Sequence, residues 1–200
     1  EKLSKIDSEL LQKYSKVFFL NEHYAPARLK EIDAKYRFPT TKELSLDSRV
    51  EPFLTKLLDA ADKAKIDLRV ASAYRSFGEQ STLKSGYSVT YGSGGANTFS
   101  ADQGYSEHQL GTTVDFTTVA TNGALDGFDS TPAYTWLVAN AYKYGFVLSY
   151  PEGNAYYVFE PWHWRFVGKD LATALRKRKI GFYDMDQRDI DKYLIKFFDR

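Results

Sequence analysis

The arrangement of apolar and polar positions divides this chain into helices and short strands. From 4 to 20, Ile6, Leu10, Leu11, Tyr14, Val17 and Phe18 recur at the spacing of an amphipathic helix. The stretch 21–46 is mixed, with Pro26 and Pro39 as punctuation and a short helix expected around 28–35. A stronger helix is expected over 48–65. Val50, Phe53, Leu54, Leu57, Leu58 and Ala61 form its buried face, and Ser48 with Glu51 resembles a capping box. Residues 67–73 alternate and predict a strand, and 77–84 begin another helix. The segment 85–102 holds Gly86, Gly92, Gly94 and Gly95 among serines and threonines, and reads as a long loop beside a site. Residues 112–118 alternate strictly, with Val114 and Phe116 on one face and Thr113, Asp115 and Thr117 on the other. After a turn-rich segment at 122–129, a helix is expected with Ser130 or Thr131 as cap, Pro132 in the first turn and a stop at Gly145. Three short strands (146–149, 155–160 and 162–167) and two helices (169–179 and 186–198) complete the pattern. Helices flanking several short strands predict an α+β fold in a single domain.

Composition narrows the function classes. Two hundred residues supply one sizeable core. A net charge of +1 gives no nucleic-acid footprint, and no apolar run is long enough to span a bilayer. The expected state is a monomer. The absence of cysteine removes disulfides, thiolate catalysis and thiolate metal sites, so any metal must be held by His and carboxylate. No signal peptide is visible, and a chain beginning at Glu1 reads as a processed or truncated form.

Two clusters concentrate the chemistry. The first, in 104–117, carries His108 and, seven residues later, Asp115; the second is Glu160-Pro161-Trp162-His163-Trp164-Arg165. His108, Asp115 and His163 are the ligand types of a catalytic zinc that keeps a fourth position for water. The plainer alternative for His108 is a hydrogen-bonded loop residue, and for Glu160 a salt bridge to Arg165 or Arg75. Two His-carboxylate clusters among three histidines favour one shared metal site. A carboxylate in apolar surroundings, such as Glu160, has its pKa raised, which suits a group that takes and returns a proton. His23 stands alone and reads as a surface or capping residue.

Ser72-x-Tyr74-Arg75-Ser76, Ser106-Glu107-His108-x-x-Gly111-x-x-x-Asp115 and Glu160-Pro161-Trp162-His163 with Arg165 and Gly168 resemble the zinc D-alanyl-D-alanine carboxypeptidases of the VanY type. Relatives of that family include L,D-carboxypeptidases, phage endolysin peptidases and the Hedgehog signalling domain. The resemblance covers 67–168 and implies a small antiparallel sheet carrying one zinc ion. It makes 67–168 the catalytic core, 1–46 a helical extension and 169–200 a helical tail. It implies His108, Asp115 and His163 as zinc ligands, Glu160 as the acid–base group and Arg75 as the stabiliser of the oxyanion. It also implies Gln80, Ser106 and Trp162 at the substrate, although Trp162 beside Pro161 could equally be packing. Thr112-Thr113 departs from the family, which often has a small apolar residue there.

The leading expectation is a carboxypeptidase that removes D-alanine from peptidoglycan stem peptides, as a D,D- or L,D-enzyme, outside the cytoplasm. An endopeptidase of endolysin type and a non-catalytic zinc-containing cell-wall binding module are the competing readings. Retention of Glu160 and Arg75 beside three ligands argues against the binding module.

Overall fold

A computed structural model of the chain describes residues 19–155 and 157–198. The helix expected over 4–20 lies outside the described residues except for Phe19 and Leu20. Leu20 is buried, and its N–H donates to the Gly104 carbonyl at 2.8 Å.

The architecture is α+β, as the pattern predicts. Strands β1 (Leu29–Glu31) and β2 (Ser45–Asp47) form a two-stranded antiparallel ribbon. Helix α1 is Glu51–Lys63 and strand β3 is Arg69–Ser72. Helix α2 is Phe77–Phe99, strand β4 is Thr113–Thr117 and helix α3 is Pro132–Asn140. Strands β5 (Phe146–Leu148) and β6 (His163–Phe166) precede helices α4 (Lys169–Arg178) and α5 (Gln187–Phe198). The main sheet is antiparallel with order β3-β4-β6-β5.

Alternation along β4 and β6 gives this sheet two characters. Val114, Phe116, Trp164 and Phe166 join one apolar core with Leu54, Leu57 and Leu58 of α1, Leu137 of α3 and Leu171 and Leu175 of α4. The other face carries Asp115, His163 and Arg165, all buried. Antiparallel register pairs Asp115 with His163 and Thr113 with Arg165. The fold therefore brings two residues 48 positions apart into direct lateral contact.

Several local expectations are corrected. The segment 85–102 is mostly helix, since α2 continues to Phe99. Its start has a true capping box: the Ser76 hydroxyl accepts from the Glu79 N–H, and the Glu79 carboxylate accepts from the Ser76 N–H at 2.8 Å. Thr82, Ser85 and Thr90 donate their hydroxyls to carbonyls four residues earlier, which lets polar residues sit inside a helix. The capping box expected at Ser48 is absent. Helix α1 starts at Glu51 after Val50 without a side-chain cap, and Glu51 instead accepts from Lys30 at 2.5 Å and from Thr55 at 2.7 Å. Around 28–35 the chain forms β1 and a short 3-10 turn at Ala34–Tyr36 rather than a helix, because its backbone is drawn into pairing with β2. The strand expected over 155–160 does not form. Its backbone is held by the Asn154 side chain, which accepts from the Tyr157 N–H at 2.7 Å, and by the Glu160 N–H donating to the Tyr150 carbonyl at 3.2 Å.

Candidate metal centre and active-site cleft

His108 lies in a 3-10 turn, Glu107–Leu110, which leads into β4 through Gly111 at φ +70°. A Cβ there would come within 2.7 Å of Pro26 Cγ, so glycine is required on both backbone and packing grounds. The turn delivers His108 beside Asp115 while its backbone carbonyl accepts from the N–H groups of Gly111 and Arg75.

Ligand atoms of His108, Asp115 and His163 all lie within 4.8 Å of one another, and all three residues are buried. His108 Nδ1 is 2.7 Å from the Ala73 carbonyl, to which it donates, leaving the Nε2 lone pair facing inward. That lone pair sits 3.2 Å from Asp115 Oδ2, while His163 Nδ1 is 3.1 Å from Asp115 Oδ1. His163 Nε2 lies 2.9 Å from Glu107 Oε2, to which it donates. A carboxylate on one ring nitrogen leaves the other free as a ligand, the usual outer support of a metal-bound imidazole.

The electrostatics call for a cation. Burial holds His108 below its ordinary pKa against the pull of Asp115, so its Nε2 lone pair confronts a carboxylate oxygen. Burial opposes charge on His163 as well, yet hydrogen bonds with Asp115 and Glu107 push it up to about 10. Without a metal, a proton on His163 joins the Arg165 guanidinium beside Glu107 and the Arg75 guanidinium beside Asp115 in offsetting the carboxylates. Burial would also raise Asp115, but its two histidine neighbours hold it well below the usual carboxylate range. Two imidazole nitrogens and a carboxylate oxygen, buried and converging, form a donor set that fits zinc.

Glu160 enters from the turn preceding β6, with Oε2 3.4 Å from His163 Nδ1. Burial pushes its carboxyl up to about 7, with His163 and Arg75 opposing and Asp115 and Glu107 adding to the rise. The salt bridges considered for it are otherwise committed: Arg165 Nη1 meets Glu107 Oε1 at 2.9 Å, and Arg75 Nη1 donates to Gln80 Oε1 at 2.6 Å. Arg75 also reaches Ser72 Oγ at 3.2 Å and stands 3.9 Å from Asp115 Oδ2.

Arg75, Gln80, Ser106, His108, Asp115, Glu160, Trp162 and His163 all line one cleft of about 650 Å³. The structure thus brings together every residue singled out from sequence. Gln80 differs from the others in being fully engaged. Its carbonyl accepts from Arg75, and its amide donates to Ser100 Oγ and to the Ala101 carbonyl. His23 is exposed, 3.5 Å from Glu22, and does not line the cleft. Sequence reasoning passed over Glu107 and the cleft tyrosines. Glu107 sat inside a quoted motif without a role. The usable signal was a carboxylate adjacent to His108 in a turn whose other residues are apolar or amide-bearing. Tyr150, which stacks on His163 at 4.8 Å between ring centres, and Tyr157 follow no period that would mark them.

Comparisons with known proteins agree with this geometry. The VanY family pattern, described as D-alanyl-D-alanine carboxypeptidase, matches residues 43–169. The putative carboxypeptidase YodJ of Bacillus subtilis (strain 168) is 31% identical over 86% of this chain, which spans 64% of the YodJ length. The LdcB LD-carboxypeptidase structure superposes with a TM-score of 0.76 at 28% identity, covering 88% of this chain and 89% of that one. A vancomycin-resistance D,D-pentapeptidase VanY solved in complex with Zn(II) superposes with a TM-score of 0.66 at 28% identity, covering 90% of this chain and 99% of that one. With the pattern spanning most of the chain and the ligand set in place, the chain belongs to the VanY family of D-alanyl-D-alanine carboxypeptidases.

Proposed function

We propose that this chain is a zinc-dependent carboxypeptidase that removes a C-terminal D-alanine from peptidoglycan stem peptides, and that it acts outside the cytoplasm, where that substrate lies. The observation that carries this reading is the convergence of a buried His108–Asp115–His163 set, a buried Glu160 and a fixed Arg75 on one cleft. His108, Asp115 and His163 would hold the zinc ion, whose Lewis acidity would polarise the scissile carbonyl and lower the pKa of water to about 7.

The side chains of the protein carry the remaining steps. Glu160 takes the proton of the attacking water and returns it to the leaving amine, a two-way transfer suited to a carboxyl near neutrality. Arg75 faces the negative charge that develops on the carbonyl oxygen. Its guanidinium is already held by Gln80 and Ser72, so little reorganisation is needed at that moment. Gln80 therefore serves substrate through Arg75. Ser106 and Trp162 form walls of the cleft, and in this reading they bind the peptide.

Digestion of purified muropeptides tests the reaction. Free D-alanine as the released product, from tetrapeptide stems, pentapeptide stems or both, is the expected result and also assigns the L,D- or D,D-preference. Split cross-links or stems without free D-alanine would replace this reading with an endopeptidase.

A further inference from the structure

The family pattern ends at residue 169, yet the chain beyond it returns to the metal centre. Helix α4 stops at Lys179, which adopts the left-handed conformation at φ +55°. A tight turn follows, closed by the Gly181 N–H donating to Asp184 Oδ2 and the Asp184 N–H donating to the Gly181 carbonyl. This turn points two consecutive rings at one buried ion pair. Phe182 lies under the Arg165 guanidinium, 4.7 Å from ring centre to Cζ. The Tyr183 hydroxyl donates to Glu107 Oε1 at 2.6 Å. The turn is not loosely attached, because Phe182, Met185 and Ile190 are each 1% exposed or less.

We propose that Tyr183 is a positioning residue of the metal centre: it fixes Glu107 and, through Glu107, the ligand imidazole of His163. The proposal rests on the metal-centre reading given above. Glu107 is completely buried and divides its oxygens between two tasks. Oε2 accepts from His163 Nε2 at 2.9 Å, and Oε1 accepts from Arg165 at 2.9 Å and from Tyr183. A buried carboxylate keeps one orientation only while its acceptor sites are satisfied in defined directions. Arg165 alone approaches Oε1 from the sheet. Tyr183 approaches it from the C-terminal turn, so the two donors fix the carboxylate from different elements. Tyr150 closes the arrangement from the side, stacked on His163 at 4.8 Å and on Tyr183 at 6.0 Å between ring centres. The C-terminal segment is thereby a structural part of the metal centre.

The test is the zinc affinity of folded Y183F, measured by competition with a chromogenic chelator, with I190V as a control that weakens packing in the same segment. Y183F removes one hydroxyl and keeps the ring. The expected result is zinc binding about tenfold weaker than wild type, the lower end of the loss seen when a ligand's outer support is removed, with I190V unchanged. In an E107Q background, Y183F should add nothing further, because the path runs through Glu107. Unchanged zinc affinity in Y183F overturns the proposal, even if its unfolding temperature falls. Equal and negligible zinc binding by wild type and H108A would remove the metal centre itself, and with it this role of Tyr183.

Discussion

Burial of the Glu160 carboxyl brings its pKa to about 7, and this fixes the sign of a pH effect. In the proposed reaction the ionised form of Glu160 receives a proton, so kcat/KM is expected to fall as pH drops below that pKa. A bound divalent cation pulls the carboxyl downward. The acid limb of the pH–rate profile is therefore expected at or below about 7, and E160Q is expected to lower kcat by about 10²- to 10⁴-fold. An acid limb that persists unchanged in residual E160Q activity would assign it to another group. Thr113 gives a residue-scale prediction about stability. Its hydroxyl is buried at 0% exposure and finds no hydrogen-bond partner among the described residues, as does that of Thr112. T113V keeps the shape and removes the unpaired group, so it should stabilise the fold by about 1 kcal/mol in urea unfolding.

At the scale of elements, legibility followed the strength of local periodicity. Strand β4 was readable because its alternation is strict, and the same alternation assigned Asp115 to the face that carries the site. The candidate ligands drew notice because each cluster is compact in sequence, and the family resemblance named them; that they converge depends on the tertiary register of β4 and β6. Helix α2 was not readable beyond its first turns. Glycine, serine and threonine have weak helix preference and leave no apolar stripe. The helix is set instead by the Ser76–Glu79 cap and by the cleft wall it supplies through Gln80 and Tyr87. G86A tests this directly. A Cβ at Gly86 would meet nothing within 4 Å. In a helix interior alanine should then add about 0.5–1 kcal/mol of stability; a glycine in an irregular loop would give no such gain. The role of Glu107 was illegible for a different reason: its meaning depends on Tyr183, 76 residues away, and on register with Arg165.

For the molecule as a whole, metal and protons compete for the same three ligands. His163 is raised from 6.5 to about 10 in the folded, metal-free protein. A raised pKa contributes stability that is fully present below the unfolded value and is lost as pH climbs to the folded one. Metal-free protein should thus lose stability from about pH 6.5 to about pH 10, as His163 gives up the proton that separates Asp115 from its neighbours. Zinc replaces that proton, so the rise in unfolding temperature on adding zinc should be larger at pH 9 than at pH 6.5. At a free zinc concentration about a hundred times the dissociation constant, the stabilisation is about 2.7 kcal/mol. H108A should abolish it. A zinc effect that is independent of pH would mean that His163 is not the group exchanging its proton for metal.

In the proposed function, one buried metal and Glu160 together drive hydrolysis at a terminal D-alanine. The most direct measurement is mass spectrometry of defined tetrapeptide and pentapeptide stems incubated with metal-stripped protein, with the same protein after zinc is restored, and with zinc-loaded E160Q. The account predicts loss of one D-alanine mass only in the zinc-restored wild type. D-alanine release that survives chelation, or that E160Q performs within a few-fold of wild type, would contradict it.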